Sequence, residues 1–164
     1  MRYHTIRQLD IANGPGCRVS IFVSGCEHHC KGCFNPETWS FNYGQRFSDE
    51  TIEVLFACAE PAHVSGLSIL GGEPLHPWNR REVLDLVKKF KDRYPDKTVW
   101  LWTGYLWEDV ADYLVDSGVD VVVDGKFKEE LKDLRLKYCG SKNQRIIDVQ
   151  NSSKNNIVNY DVLN

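Results

Sequence analysis

Three cysteines, Cys26, Cys30 and Cys33, fall within a single short stretch of a chain that carries six. Clustered thiols in a reducing compartment point to a metal or to catalysis rather than to disulfides. Iron–sulfur cubes are held by cysteine thiolates, normally four. The spacing C-x3-C-x2-C supplies three from one loop, enough for one face of a cube. The fourth iron is then left without a protein ligand and can chelate a small molecule, as an open zinc position does. The alternative is a zinc ion on the same three cysteines with Cys17, Cys139, His28 or His29 as the fourth ligand, although no second closely spaced pair completes the usual zinc pattern. His28 and His29 otherwise read as solvent-facing residues of the cysteine loop. Cys17, Cys58 and Cys139 read as small buried hydrophobes.

The elements that must position these thiols alternate along the chain. Residues 18–23 are rich in β-branched and aromatic types and read as a first strand, with the cysteine loop at its C-terminal end. A helix starts at Ser48 and runs to about residue 59, and residues 67–70 form a second strand stopped by Gly71-Gly72-Glu73-Pro74. Asn79 and Glu82 look like a capping box, and Val83, Val87, Phe90 and Tyr94 recur at helical spacing behind it. A strand over 98–102, a helix over 107–116, a strand over 119–123 and a last short strand near Ile146 complete the pattern. Strands alternating with helices imply βαβ units and a mainly parallel sheet. A full eight-unit barrel takes about 250 residues, so an open sheet or partial (βα) barrel of α/β class is expected. Trp100 and Trp102 read as sheet packing.

The chain has 164 residues, 42% of them apolar and 26% charged, with a formal net charge of −3. That suits one domain with its own core. The mild negative balance speaks against a general nucleic-acid binder, which is basic. No apolar run approaches the ~18 residues of a membrane span, and the first residues lack the apolar stretch of a signal peptide. A cytoplasmic protein is expected, with no nucleic acid and no membrane among its partners. One domain over 1–149 is expected to precede a loose polar tail over 150–164. Arg80, Arg81, Lys88, Lys89, Lys91 and Arg93 crowd one helix, either as a solvated face or as a docking patch for an acidic protein.

C-x3-C-x2-C after a first strand, with Gly-Gly-Glu-Pro about forty residues on after a second, resembles the radical S-adenosylmethionine superfamily. Asn13-Gly14-Pro15-Gly16, Phe22-Val23-Ser24-Gly25-Cys26, Gly32-Cys33-Phe34-Asn35, Thr38-Trp39 and Gly72-Glu73-Pro74-Leu75 carry the likeness further. So do Trp100-Leu101-Trp102-Thr103-Gly104-Tyr105, Val123-Asp124-Gly125-Lys126 and Gly140-Ser141-Lys142-Asn143-Gln144-Arg145. In this order, over about residues 1–147, they are similar to the family of activating proteins of anaerobic ribonucleoside-triphosphate reductase. Two positions depart from the superfamily pattern: Gly32 stands where many members carry an aromatic residue, and Glu73 where an Asp often follows the two glycines.

The resemblance implies a partial barrel of the radical S-adenosylmethionine type and a [4Fe–4S] cluster on Cys26, Cys30 and Cys33. Its open iron would bind the amino and carboxylate groups of S-adenosyl-L-methionine. Reductive cleavage would release a 5′-deoxyadenosyl radical, which takes hydrogen from a glycine of the reductase. The implied partners are the anaerobic ribonucleoside-triphosphate reductase and an electron donor such as a flavodoxin. Gly71, Gly72 and Glu73 would meet the methionine end, where glycines let backbone approach a ligand closely. Gly32, Cys33 and Phe34 would lie along the adenosine, and Asp124 and Lys126 would stand near the site, unless Asp124-Gly125-Lys126 is a plain turn. Other readings are activation of a different glycyl-radical enzyme such as pyruvate formate-lyase, a small-molecule radical enzyme, or a zinc-stabilised interaction module.

Overall fold

β-Branched and aromatic residues at period two build the centre of the molecule. A computed structural model describes residues 1–163; Asn164, the end of the expected tail, lies outside the described residues. β1 (Arg2–Asp10) reverses through Gly14 and Gly16, both left-handed at φ +109° and +75°, into β2 (Cys17–Val23). The two-residue β3 (Gln45–Arg46) pairs with the start of β1. Then come α1 (Asp49–Ala59), β4 (Val64–Gly71), α2 (Arg80–Arg93), β5 (Thr98–Trp102), α3 (Trp107–Leu114) and β6 (Val121–Asp124). β7 (Arg145–Asp148) follows a long connection that holds only a short 3-10 turn at Glu129–Leu131.

The seven strands form one sheet in the order β3-β1-β2-β4-β5-β6-β7. Helical crossovers make β2, β4, β5 and β6 parallel to one another. The expected mainly parallel sheet is nevertheless mixed. β1 runs antiparallel to both β2 and β3, and β7 antiparallel to β6, because neither end of the sheet is reached through a crossover helix. β1 escaped sequence reasoning because most of its residues are partly or fully exposed, so no apolar alternation marks it.

Side-chain alternation sorts the two faces. Val19, Ile21, Val23, Leu67, Ile69, Val99, Leu101, Val122 and Ile147 share one core with the inward residues of all three helices. Trp100, Val121 and Val123 face the other way and form a second cluster with Trp102, Tyr138 and Tyr160. Trp100 and Trp102, two residues apart on one strand, thus pack on the same face.

The tail is fastened back rather than loose. Tyr160 N–H donates to the Ile146 carbonyl at 2.9 Å, and its ring meets Trp100 edge-on at 5.1 Å. Trp107 Nε1 donates to the Ser153 carbonyl at 3.2 Å. Polar composition misleads here because the segment is held largely by hydrogen bonds. No helix among the described residues is long and apolar enough to cross a membrane.

Candidate functional site

Loops at the C-terminal ends of β2, β4, β5 and β6 surround a cavity of about 490 Å³, a volume suited to a small molecule. It opens on the sheet face away from the helices, where Phe22, Leu70 and Trp102 form part of its wall. Cys26, Cys30 and Cys33 all line it, as do Phe34, Gly71, Gly72 and Glu73. Gly32, Asp124 and Lys126 do not.

The cysteine loop begins at Gly25, whose φ of +100° favours glycine and whose missing Cβ would stand 2.1 Å from the Phe41 ring. Gly25 N–H donates to the Thr38 carbonyl at 2.7 Å and Cys26 N–H to the Trp39 carbonyl at 3.0 Å. A 3-10 turn at Pro36–Trp39 therefore braces the loop. His29 is exposed and stacks on Trp39 at 4.5 Å.

Asn35 N–H donates to Cys33 Sγ at 3.4 Å, and the backbone N–H groups of His28 and His29 favour the Cys26 thiolate as that of Phe127 favours the Cys30 thiolate. Such donors stabilise thiolates and tune cluster potentials. Burial acts in the opposite sense. It pushes the Cys26 thiol up to about 11, with Glu73 and Cys30 adding repulsion. Cys30 is raised as well, by burial first and by Cys33 next. Neighbouring thiolates in a partly buried site need a positive charge, which a bound metal provides. Among the described residues no group of three or more His, Cys, Asp or Glu side chains could hold a metal ion as it stands. A cube spreads its thiolates over separate irons, so a shared cavity with sulfur-directed N–H groups fits a cluster.

The Gly-Gly turn is stitched to the cysteine loop. Gly72 N–H donates to the Val23 carbonyl at 2.7 Å and Glu73 N–H to the Gly25 carbonyl at 2.8 Å. The Gly72 carbonyl has no hydrogen-bond partner among the described residues. Glu73 is buried; Oε1 accepts from Leu75 N–H at 2.9 Å and the Thr103 hydroxyl at 2.7 Å. Oε2 accepts from Gly104 N–H at 2.8 Å and lies 2.7 Å from His28 Nε2. His28 is therefore turned inward, with little of its side chain exposed, instead of facing solvent. Asn79 forms no side-chain cap on α2; its Nδ2 donates to the Ser24 and Glu73 carbonyls, at 3.0 Å each. Glu82 pairs instead with the N-terminal ammonium of Met1.

Asp124 is fully buried and committed elsewhere. It accepts from Trp107 N–H at 2.7 Å, capping α3, and from Arg145 Nε at 3.0 Å. The basic stripe of α2 is partly spent inside the molecule: Lys91 bonds Asp120, Lys89 pairs with Asp85, and Arg80 stacks on Tyr113. Sequence reasoning missed the segment after β6. Phe127, Leu134, Tyr138, Cys139 and Gly140 line the cavity, and the Phe127 ring lies 5.0 Å from that of Phe34. Only Gly140-Ser141 and the residues after it carried a signal there, through family likeness.

A family model described as a 4Fe-4S single cluster domain matches residues 12–147. The chain is 44% identical over 146 residues to the anaerobic ribonucleoside-triphosphate reductase-activating protein of Enterobacteria phage T4, covering 89% of this chain and 93% of that one. The protein of that name from Vibrio cholerae is 44% identical over 150 residues, covering 89% and 97%. Its counterpart from Escherichia coli is 41% identical over 148 residues, covering 88% and 96%.

Proposed function

Because this chain belongs to the 4Fe-4S single cluster domain family and to that of the anaerobic ribonucleoside-triphosphate reductase-activating proteins, we propose that it activates such a reductase by radical chemistry. The observation that carries this is the convergence on one cavity of three cysteines from one short loop, beside the Gly-Gly turn. Cys26, Cys30 and Cys33 would hold a [4Fe–4S] cluster, and the cavity would take S-adenosyl-L-methionine. A reduced cluster held there would supply the electron for cleaving the sulfonium, and the hydrogen atom removed would come from a glycine of the reductase.

This chain's residues then bind and shield. The unpartnered Gly72 carbonyl suits the ammonium group of the methionine moiety, and Phe34 offers a ring to the adenine. Trp102, Phe22 and Leu70 keep the wall apolar, which limits stray water at a reactive centre. The placement of all three helices on one sheet face and the cavity on the other supports a partial barrel of the superfamily's type. Leu134 and Phe34 line the mouth and are exposed, and Ile11, exposed too, adjoins the lining residue Ala12. An apolar rim of this kind suits a protein substrate that covers the opening. The electron would come from a donor such as a flavodoxin.

The test is anaerobic: reconstitute the chain with iron and sulfide, then add reductase, S-adenosyl-L-methionine and a reductant. Electron paramagnetic resonance should show a glycyl radical on the reductase. Cleavage without any such radical would overturn the assignment of a protein substrate.

A further inference from the structure

Glu73 has no capacity left for a ligand. A carboxylate offers about four lone-pair positions, and Leu75 N–H, Thr103 Oγ1, Gly104 N–H and His28 Nε2 approach its two oxygens. Its backbone is committed too, through Gly25 on the N–H side and through His76 and Asn79 on the carbonyl. Sequence likeness places Glu73 against S-adenosyl-L-methionine; the bonding pattern makes it a strut between protein elements.

Three of the four side-chain contacts come from the turn after β4 and the loop after β5. Only His28 comes from the cysteine loop, two residues from Cys26 on one side and from Cys30 on the other. Its ring is held on two further sides. Tyr105 meets it edge-on at 4.7 Å, and Gly104 makes room for it, since a Cβ there would stand 2.4 Å from the imidazole. Shielded contacts to an ionised group are stronger than neutral ones, and deleting one leaves its partner short of a bond.

We propose that His28 is a positioning residue: through Glu73 it locks the middle of the cysteine loop to the Gly-Gly turn and the end of β5. It thereby sets where the cluster stands relative to S-adenosyl-L-methionine. This rests on the functional reading above. His28 also lines the cavity, and in this role it acts through Glu73. Losing it lets the loop that carries Cys26 and Cys30 shift against the Gly72 carbonyl. Gln suits as a replacement because its amide N–H can reach the position of Nε2, whereas Ala cannot reach Glu73 at all.

The experiment compares the parent chain with His28→Ala, His28→Gln and Gly104→Ala, which crowds the ring from its other side. Each is reconstituted anaerobically and measured for iron content, cluster midpoint potential and the S-adenosyl-L-methionine dissociation constant from the cluster spectrum. His28→Ala and Gly104→Ala should weaken binding about tenfold, the scale of one lost hydrogen bond to a charged group, and should both move the potential. His28→Gln should return both readings to near the parental values. Unchanged affinity and potential in His28→Ala at full iron content would overturn the proposal. So would a defect that His28→Gln shares in full, because that makes the ring a packing element. If His28→Ala fails to retain iron, Gly104→Ala and His28→Gln decide by the same two criteria. A parent chain that binds no S-adenosyl-L-methionine refutes the functional reading instead, and the potentials of the variants still judge the strut.

Discussion

Gly72→Ala tests how tightly the two halves of the site are coupled. A Cβ on Gly72 would stand 2.7 Å from the Gly25 carbonyl oxygen, 2.9 Å from that of Thr38 and 3.0 Å from Gly25 N. All three are backbone atoms, and the 2.7 Å hydrogen bond from Gly25 N–H to the Thr38 carbonyl ties two of them together. None can rotate away as a side chain would. The turn must lift off the cysteine loop, stretching the bonds from Gly72 to Val23 and from Glu73 to Gly25, now 2.7 and 2.8 Å. Overpacking costs about 1–3 kcal/mol, and weakening two hydrogen bonds adds about 1 kcal/mol, for a total of about 2–4 kcal/mol. For a domain of this size that lowers Tm by roughly 5–15 °C. Calorimetry on the reduced, cluster-free chain reads it, because no cluster or ligand enters the measurement. Iron uptake should fall as well, since the displaced Gly25 adjoins Cys26. A Tm within about 1 °C of the parent, with full iron content, would refute the reasoning and leave Gly72 as a ligand contact alone.

Replacing Cys26, Cys30 or Cys33 by Ala should abolish reconstituted iron, whereas Cys58→Ala and Cys139→Ser should leave it at the parental level; a full cluster in Cys30→Ala would sink the ligand assignment. Asp124→Ala should destabilise the chain by about 3 kcal/mol or more in urea titration, because it strips a buried partner from Arg145 and the cap from α3. Iron per folded molecule should not change in that variant, and a specific loss of iron would show that Asp124 serves the site directly. Burial raises both Cys26 and Cys139 to about 11, above an unfolded thiol near 8.5. The folded chain therefore holds these protons more tightly than the unfolded one. The stability so gained is full below about pH 8.5 and is lost as pH rises towards 11. Thermal scans of the cluster-free chain across that window should show Tm falling, less steeply in Cys139→Ala; a flat profile counts against burial of these thiols.

Much of the frame was legible because apolar periodicity marks it. β2, β4, β5, β6 and the three helices follow strand or helical spacing strongly enough to be placed within a few residues. β1 was not, since its exposed residues break the alternation, and with it went the mixed character of the sheet. Asn79 looked like a cap because residue type and position fit one, yet the nearby Ser24 and Glu73 carbonyls took its amide. The covering segment from Phe127 to Gly140 has no regular pattern, so only its packing against Phe34 reveals it.

The sequence by itself determined the donor chemistry: three thiols in one loop, a glycine turn behind a second strand, and strands whose C-terminal ends would gather them. Those are local properties, written in residue type and spacing. Tertiary structure alone decided what each polar side chain is for. Glu73 and His28 are forty-five positions apart, and Asp124 meets Arg145 from twenty-one away. Nothing in the spacing of such pairs encodes their meeting. A buried carboxylate must find donors wherever the fold brings them, and the folding of four loops onto one cavity turned one such residue into a strut and the other into a cap.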